Sequence, residues 1–147
     1  MNTGERIAKW GIGDGSCPFP QCNVIESMHH LFLECYRVTP ILAWTNRVLH
    51  ISIGKSFNFS ESKFMFGYPR SNTKVTVFNR IWFMFCVVKF VLWKSRCSYK
   101  YEDKLLKDEE IISLITKEIK DRIWADRSGF RVLNVGKFGS KDLPSSN

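Results

Sequence analysis

The side chains best suited to bind a metal ion lie close together near the start of the chain. Residues 17–35 contain three of the five cysteines and two of the three histidines. Three thiolates and one imidazole are a common tetrahedral ligand set for structural zinc. The spacing Cys17-x4-Cys22-x7-His30-x4-Cys35 supplies one such set. The sequence therefore predicts a zinc site with four protein ligands and no open position for catalysis.

The choice of histidine depends on the local conformation. His29 and His30 are adjacent, so only one of them can face the metal if this segment is helical. We favour His30, because Leu31 and Phe32 can then turn towards a small apolar core while Cys35 follows five positions later. His29 remains the alternative ligand, and His50 is expected to be an ordinary polar residue.

A competing interpretation is that the cysteines are simply buried thiols, since free Cys often behaves as a small hydrophobic residue. This interpretation suits Cys86 and Cys97, and Cys86 lies inside an apolar run. The odd number of cysteines argues against a closed disulfide framework. The first residues carry charges where a secretory signal would be apolar. We therefore expect an intracellular protein, nuclear or cytoplasmic, with reduced thiols.

The cysteine segment resembles the zinc-binding module that follows the reverse transcriptase domain in non-LTR (LINE-type) retrotransposon proteins. The family pattern has two cysteines, an acidic residue with Ser or Thr, His-Leu-Phe, a final cysteine and a Trp. The matching residues here are Cys17, Cys22, Glu26-Ser27, His30-Leu31-Phe32, Cys35 and Trp44, preceded by Arg6 and Trp10 in the similar lead-in "NTGERIAKWGI". The four residues between the first two cysteines depart from the commoner two.

A second stretch is also similar to this family. "FVLWKSRCSYKYE", residues 90–102, resembles a Trp-Lys-x-Arg-Asn segment found after the module, with Cys97 in place of Asn. The resemblance covers residues 5–44 and 78–101. It implies a zinc-binding module that helps to hold RNA or DNA near a polymerase.

The expected activity is binding and not catalysis. The family's polymerase motif, a Tyr or Phe followed by Ala-Asp-Asp, is absent from the sequence. Glu118 and Lys120 match part of the signature of a restriction-like endonuclease, but they lie in an amphipathic pattern where charged residues are expected. We therefore predict that the chain is not an enzyme.

Charge favours a nucleic-acid partner. Residues 1–50 hold four basic and four acidic side chains, so the rest of the chain carries the whole net charge of +8. Such a balance suits phosphate backbones, and exposed aromatic rings can stack on unpaired bases. We predict low-specificity binding of RNA or single-stranded DNA. The candidate residues are Lys94, Arg96, Lys100 and Lys104 for phosphates, interleaved with Tyr99 and Tyr101, and Trp10, Phe19 and Trp44 for stacking.

These residues must be positioned by a mainly α fold. Residues 81–93 are apolar except for Lys89, and this run is too short for a membrane span, so a buried aromatic-rich helix is predicted. Arg80, Lys89 and Arg96 would form a basic strip along it. An amphipathic helix is predicted over residues 108–126, capped by Asp108 and buried through Ile111, Ile115 and Ile119, with Ile112, Leu114 and Ile123 beside them.

The composition divides the chain into four parts. Residues 1–50 form the zinc knuckle, 51–74 a connector, 75–127 the helical region and 128–147 a flexible tail. We expect the apolar helix to have a packing partner. The resemblance also implies an alternative function: the chain would be a truncated transposon remnant that acts, if at all, as a structural or protein-interaction piece.

Overall fold

The computed structural model describes residues 1–54, 59–67 and 75–125. The predicted tail, residues 128–147, lies outside these ranges. The described residues form short helices near the start and two long helices after residue 74, and their only β-type pairing is the single bridge between Ser16 and Ile25. The mainly α prediction is confirmed. The helices are α1 (Gly4–Ala8), a π-helical turn (His30–Glu34), α2 (Thr39–Ile53), α3 (Glu61–Phe66), α4 (Val75–Glu102) and α5 (Asp108–Ala125).

The two long helices, α4 and α5, pack against each other and against α2. The predicted apolar helix is contained in α4, and the predicted amphipathic helix coincides with α5. The apolar face of α5 is buried as expected through Ile111, Ile112, Ile115 and Ile119. Within the described residues, no helix combines the length and apolar character needed to cross a bilayer.

The start of α5 differs from the prediction. Asp108 is the first helical residue, and its carboxylate forms an ion pair with Arg37 (Oδ1 to Nη1, 3.3 Å). The capping contact comes from Glu110, whose carboxylate accepts a hydrogen bond from the Lys107 N–H at 2.7 Å. The prediction of Asp108 as the cap was therefore wrong. Its ion pair ties the segment after the cysteine cluster to α5.

Helix α2 has clear start and stop signals. Pro40 lies in the first turn, where its missing N–H costs no intrahelical hydrogen bond, and Gly54 ends the helix with a φ of 95° that favours glycine. Its buried residues follow one helical face: Ile41, Trp44, Thr45, Val48 and Leu49. The helix extends past residue 50, into the predicted connector.

The described part of the connector contains helix α3. Phe64 of this helix is fully buried and packs edge-on against Phe85 of α4, with ring centroids 4.9 Å apart. Phe59 contacts both of these rings. This aromatic cluster holds α3 against the middle of α4.

The three cations predicted to form a basic strip on α4 each bind a different neighbouring element. Arg80 donates to the Ser52 carbonyl at the end of α2 (3.3 Å), and Lys89 donates to the Phe64 carbonyl in α3 (3.0 Å). Arg96 is completely buried and binds the Glu26 carboxylate. The prediction of a basic strip was therefore wrong. Arg80 and Lys89 are about 2.5 helical turns apart and lie on opposite faces of α4, and the three cations anchor the helix to different elements.

Candidate metal centre

A hairpin-like loop presents the first two cysteines. The Cys17 N–H donates to the Val24 carbonyl (2.8 Å), and the Glu26 N–H donates to the Gly15 carbonyl (2.9 Å), so the two sides of the loop pair across the "PFPQ" turn. Within the turn the Cys22 N–H donates a hydrogen bond to the Phe19 carbonyl (3.2 Å). This closed loop directs both sulfurs to the same side.

The other two ligand candidates come from the π-helical turn. Five positions separate His30 from Cys35, and in an α-helix such residues point about 140° apart. Here the Cys35 N–H donates to the His30 carbonyl (2.9 Å), which is the i to i+5 bond of a π-helix. The wider turn brings Cys35 beneath His30. π-helical turns of this kind are rare and often occur at functional sites.

Ser27 fixes the start of this turn. Its hydroxyl oxygen accepts a hydrogen bond from the His30 N–H (3.0 Å), which leaves the imidazole free to face the cysteines. Leu31 and Phe32 turn into the core and are only 2% and 1% exposed. The order Ser-x-x-His-Leu-Phe therefore places one polar cap, one imidazole and two core residues in succession.

The structure brings the four predicted ligand side chains into one buried cluster. Their ligand atoms all lie within 4.8 Å of one another. Cys17 Sγ is 4.0 Å from Cys35 Sγ, and Cys22 Sγ is 3.3 Å from His30 Nε2. Donors held around one zinc ion at normal bond lengths would lie about 3.5–3.8 Å apart. The residues present therefore fit a tetrahedral metal ion.

In the absence of a cation, hydrogen bonds among the three thiols shift their pKa values. The pKa of Cys17 is raised well above its ordinary value, mainly because its thiol donates to Cys35 and also because it is buried. Burial, followed by the interaction with Cys17, raises the pKa of Cys22. The pKa of Cys35 is lowered because it accepts from Cys17. A cation at the centre would replace these shared protons and stabilise all three thiolates.

The structure also distinguishes the two histidines. His29 points away from the sulfurs, is about half exposed, and places Nδ1 3.0 Å from Glu34 Oε1. The other oxygen of Glu34 lies 4.0 Å from Nδ1 of His30, the ring nitrogen that does not face the thiols. Carboxylates commonly orient metal-binding histidines from this side. His30 is therefore the ligand candidate in this arrangement.

A buried carboxylate links the metal loop to α4. Glu26 accepts hydrogen bonds at Oε1 from Arg96 Nε (2.6 Å) and at Oε2 from Arg96 Nη2 (2.5 Å). Its Oε2 also accepts the Gly4 N–H of α1 (2.6 Å). Both charged side chains are fully buried. Burial alone would lower the pKa of Arg96, but the hydrogen bonds and attraction to Glu26 outweigh it and raise that pKa.

The close approach of α1 to this loop requires a glycine. A Cβ atom at Gly4 would lie 2.5 Å from the Gly15 carbonyl oxygen, a distance that non-bonded atoms do not tolerate. Gly15 itself has a φ of 83°. The glycines therefore allow α1 to present its Gly4 N–H to Glu26. The Glu26–Arg96 pair was missed from the sequence, where the two residues are 70 positions apart.

The candidate nucleic-acid residues divide into exposed and buried groups. Lys94, Lys100 and Lys104 are exposed at the C-terminal end of α4 or just after it, and Trp10 is 58% exposed. Arg96 is buried against Glu26, so its predicted role in phosphate binding is corrected.

The aromatic predictions need a similar correction. Phe19 is buried and stacks on Tyr99, with centroids 5.5 Å apart, and Trp44 is buried in α2. These rings are used by the fold and do not offer a free face to a base. Tyr101, in contrast, is 67% exposed and has Lys100 Nζ over its ring at 5.8 Å.

The remaining cysteines lie outside the cluster. Cys86 and Cys97 are half-buried on α4, and burial raises the pKa of Cys86. Their half-buried positions away from the cluster agree with the prediction that Cys86 and Cys97 are ordinary thiols and not metal ligands.

The sequence of the chain is similar to that of a transposon protein. It is 31% identical over 98 residues to the "Transposon TX1 uncharacterized 149 kDa protein" of Xenopus laevis. The matched region is 65% of this chain and 7% of that protein, so the chain spans a small part of its relative. No protein-family model and no solved structure matches the chain.

Proposed function

We propose that this chain is a zinc-stabilised nucleic-acid-binding module derived from a non-LTR retrotransposon reverse transcriptase protein. The observation that carries the proposal is the buried Cys3His cluster, whose ligand atoms lie within 4.8 Å of one another. The similarity to a transposon protein supports the origin. The resemblance of residues 5–44 to the zinc-binding module after the reverse transcriptase domain supports the finer assignment.

Zinc is the metal that this ligand set favours. Three thiolates are soft ligands, and with one imidazole they suit tetrahedral zinc better than a metal that prefers oxygen. All four side chains are at least 92% buried, since none is more than 8% exposed. A closed site of this kind supplies folding energy and has no free position for a substrate. The proposal accordingly assigns no catalytic role to the chain.

Nucleic-acid binding would use the exposed end of α4 beside the metal loop. The Phe19–Tyr99 stack holds the metal loop against this end of the helix. Lys100 follows Tyr99 directly, and the Lys104 N–H donates to the Ser98 carbonyl (3.3 Å) as the chain turns out of the helix. Lys94, Lys100 and Lys104 would contact phosphates, and Tyr101 offers an exposed ring for base stacking.

The test is binding of a fluorescent RNA and of the matching single-stranded DNA, about 20 nucleotides long, measured by anisotropy at several salt concentrations. The variant Lys94→Ala/Lys100→Ala/Lys104→Ala should weaken binding of every sequence about equally. Removing three phosphate contacts should reduce the slope of log affinity against log salt by about 2.

A matched control removes the same charge from other elements. Arg47→Ala/Lys117→Ala/Lys120→Ala changes three exposed cations on α2 and α5. It should leave the salt slope close to that of the wild type. Equal slopes for both triple variants would show that only net charge matters and would remove the proposed surface. Absence of any salt-dependent binding would remove the nucleic-acid function and favour a structural remnant.

A further inference from the structure

Helix α4 is apolar on more than one face. Val87, Val88 and Val91 face the core and are at most 2% exposed. On another side, Trp82 and Phe90 are 42% and 41% exposed. A helix that is apolar all round is normally buried all round. Within residues 1–54, 59–67 and 75–125, this second face is left partly exposed, as in a docking surface.

This face forms the floor of a groove. The cavity has a volume of about 290 Å³, and one stripe of α4 at helical spacing contributes half of its lining side chains. The lining residues are Met1, Met28, Phe32, Met65, Cys86, Lys89, Phe90 and Trp93. Three of the chain's four methionines are among them. Methionine is flexible and polarisable, and it is common on surfaces that receive apolar helices.

The groove itself presents one cation, Lys89, and an Arg122–Glu118 ion pair lies beside it. Lys89 is the one charged residue among the eight that line it, and its ammonium group donates to the Phe64 carbonyl with further N–H donors to spare. The Arg122 guanidinium lies 5.2 Å from the ring centroid of Phe90 and is paired with Glu118. A ligand that combines an apolar surface with a carboxylate would complement the apolar lining of the groove and the ammonium group of Lys89.

Two other occupants fit less well. A nucleobase has polar edges, and Lys89 alone would leave most of them unpaired in a lining that is otherwise apolar. A second copy of this chain would bring another net charge of +8 against the first. An apolar segment with acidic residues has neither problem.

We propose that this groove binds an amphipathic, acidic helix of a protein partner, with apolar side chains between the methionines and a carboxylate towards Lys89. This is the helix-in-groove mode of recognition. None of the three lysines proposed to contact phosphates lines the groove, although Lys94 directly follows Trp93, so the two activities are tested by separate variants.

The test uses three designed helical peptides of about 18 residues with the same Leu and Phe face. Their polar faces carry Glu, Gln or Lys, and binding to the full chain is measured by fluorescence anisotropy. The Glu peptide should bind at least tenfold more tightly than the Lys peptide. Phe90→Gln and Met28→Gln should each weaken that binding about tenfold, a loss of about 1.4 kcal/mol. Circular dichroism checks the folding of each variant, and Met28→Gln keeps the test valid if Phe90→Gln does not fold.

The matched control is Leu114→Gln, which replaces an apolar side chain of similar exposure on α5. It should bind the peptide as the wild type does, and all three single variants should retain any RNA binding. Failure of all peptides to bind at millimolar concentration, or equal affinity for all three, would overturn the proposal. Self-association that Phe90→Gln abolishes would identify a second copy as the occupant. Competition between RNA and the peptide, with loss of RNA binding in Phe90→Gln, would identify nucleic acid instead.

Discussion

The buried Glu26–Arg96 pair makes a sharp prediction about stability. Replacing Arg96 by Met keeps much of the volume of the side chain but removes its charge and two hydrogen bonds to Glu26. The Glu26 carboxylate would then retain only the Gly4 N–H among these donors. It would be a buried charge without a counter-charge, which is one of the most destabilising changes that a single substitution can make.

The expected magnitude follows from full burial of both partners. Breaking a buried ion pair by removing one partner costs about 3–5 kcal/mol. For a chain of this size that loss corresponds to a fall of about 6–20 °C in the unfolding temperature. Natural domains have a total stability of about 5–15 kcal/mol, so Arg96→Met should lose a large fraction of the stability of the fold.

The assay is urea unfolding followed by far-ultraviolet circular dichroism at fixed zinc and protein concentrations. Lys94→Met is the matched control, because Lys94 is an exposed cation two residues earlier on α4. Its free energy of unfolding should stay within about 0.5 kcal/mol of the wild type. A double variant, Glu26→Leu/Arg96→Met, should lose less stability than Arg96→Met, since it leaves neither charge unpaired.

The reasoning would be refuted if Arg96→Met unfolded within about 0.5 kcal/mol of the wild type. Such a result would mean that the Glu26–Arg96 pair does not contribute to the stability of the fold as its burial implies.

Three further predictions concern the metal centre and the end of α4. Zinc affinity, measured by competition with a chelator, should rise between pH 6 and 8. The raised pKa values of Cys17 and Cys22 keep these thiols protonated, so zinc must displace their protons, and this displacement becomes easier as the pH rises. A zinc affinity that does not change with pH would contradict this reasoning. Native mass spectrometry should find one zinc ion bound to Cys86→Ala and to Cys97→Ala, but none bound to Cys22→Ser. Loss of zinc from either alanine variant would show that a metal ligand lies outside the cluster. Asp103 has a φ of 53°, a left-handed conformation that glycine adopts more easily than other residues. Asp103→Gly should therefore raise the free energy of unfolding by about 0.5–1 kcal/mol in urea titrations, and Asp103→Ala should not. Equal changes in the free energy of unfolding for the two variants would argue against a left-handed backbone at this residue.

Features encoded by short-range spacing were predictable from the sequence. The four metal-ligand candidates lie within nineteen residues, so chain geometry alone limits how far apart they can be. Helix α5 was predictable because its isoleucines repeat at helical spacing and its first turn is acidic. The choice of His30 over His29 rested on which neighbours would face a core, and Leu31 and Phe32 do so.

Features that depend on distant partners were not predictable. Periodicity shows that Arg96 lies on a helix, but it does not show that Glu26, far away in the chain, neutralises its charge. Lys94 and Arg96 are both cations in the same segment, and only the packing of the metal loop against α4 separates an exposed one from a buried one. In the same way, Phe19 is suited by type to base stacking but is covered by Tyr99.

The central claim is that one metal ion organises the cysteine cluster, and native mass spectrometry tests it most directly. Purified wild-type protein should carry one tightly held zinc ion. Cys35→Ser removes the least exposed of the three cluster thiols, and it should lose both the zinc and the folded circular dichroism signal. A folded wild-type protein that holds no metal after growth with zinc would contradict the account, and the cluster would then be only a group of buried thiols.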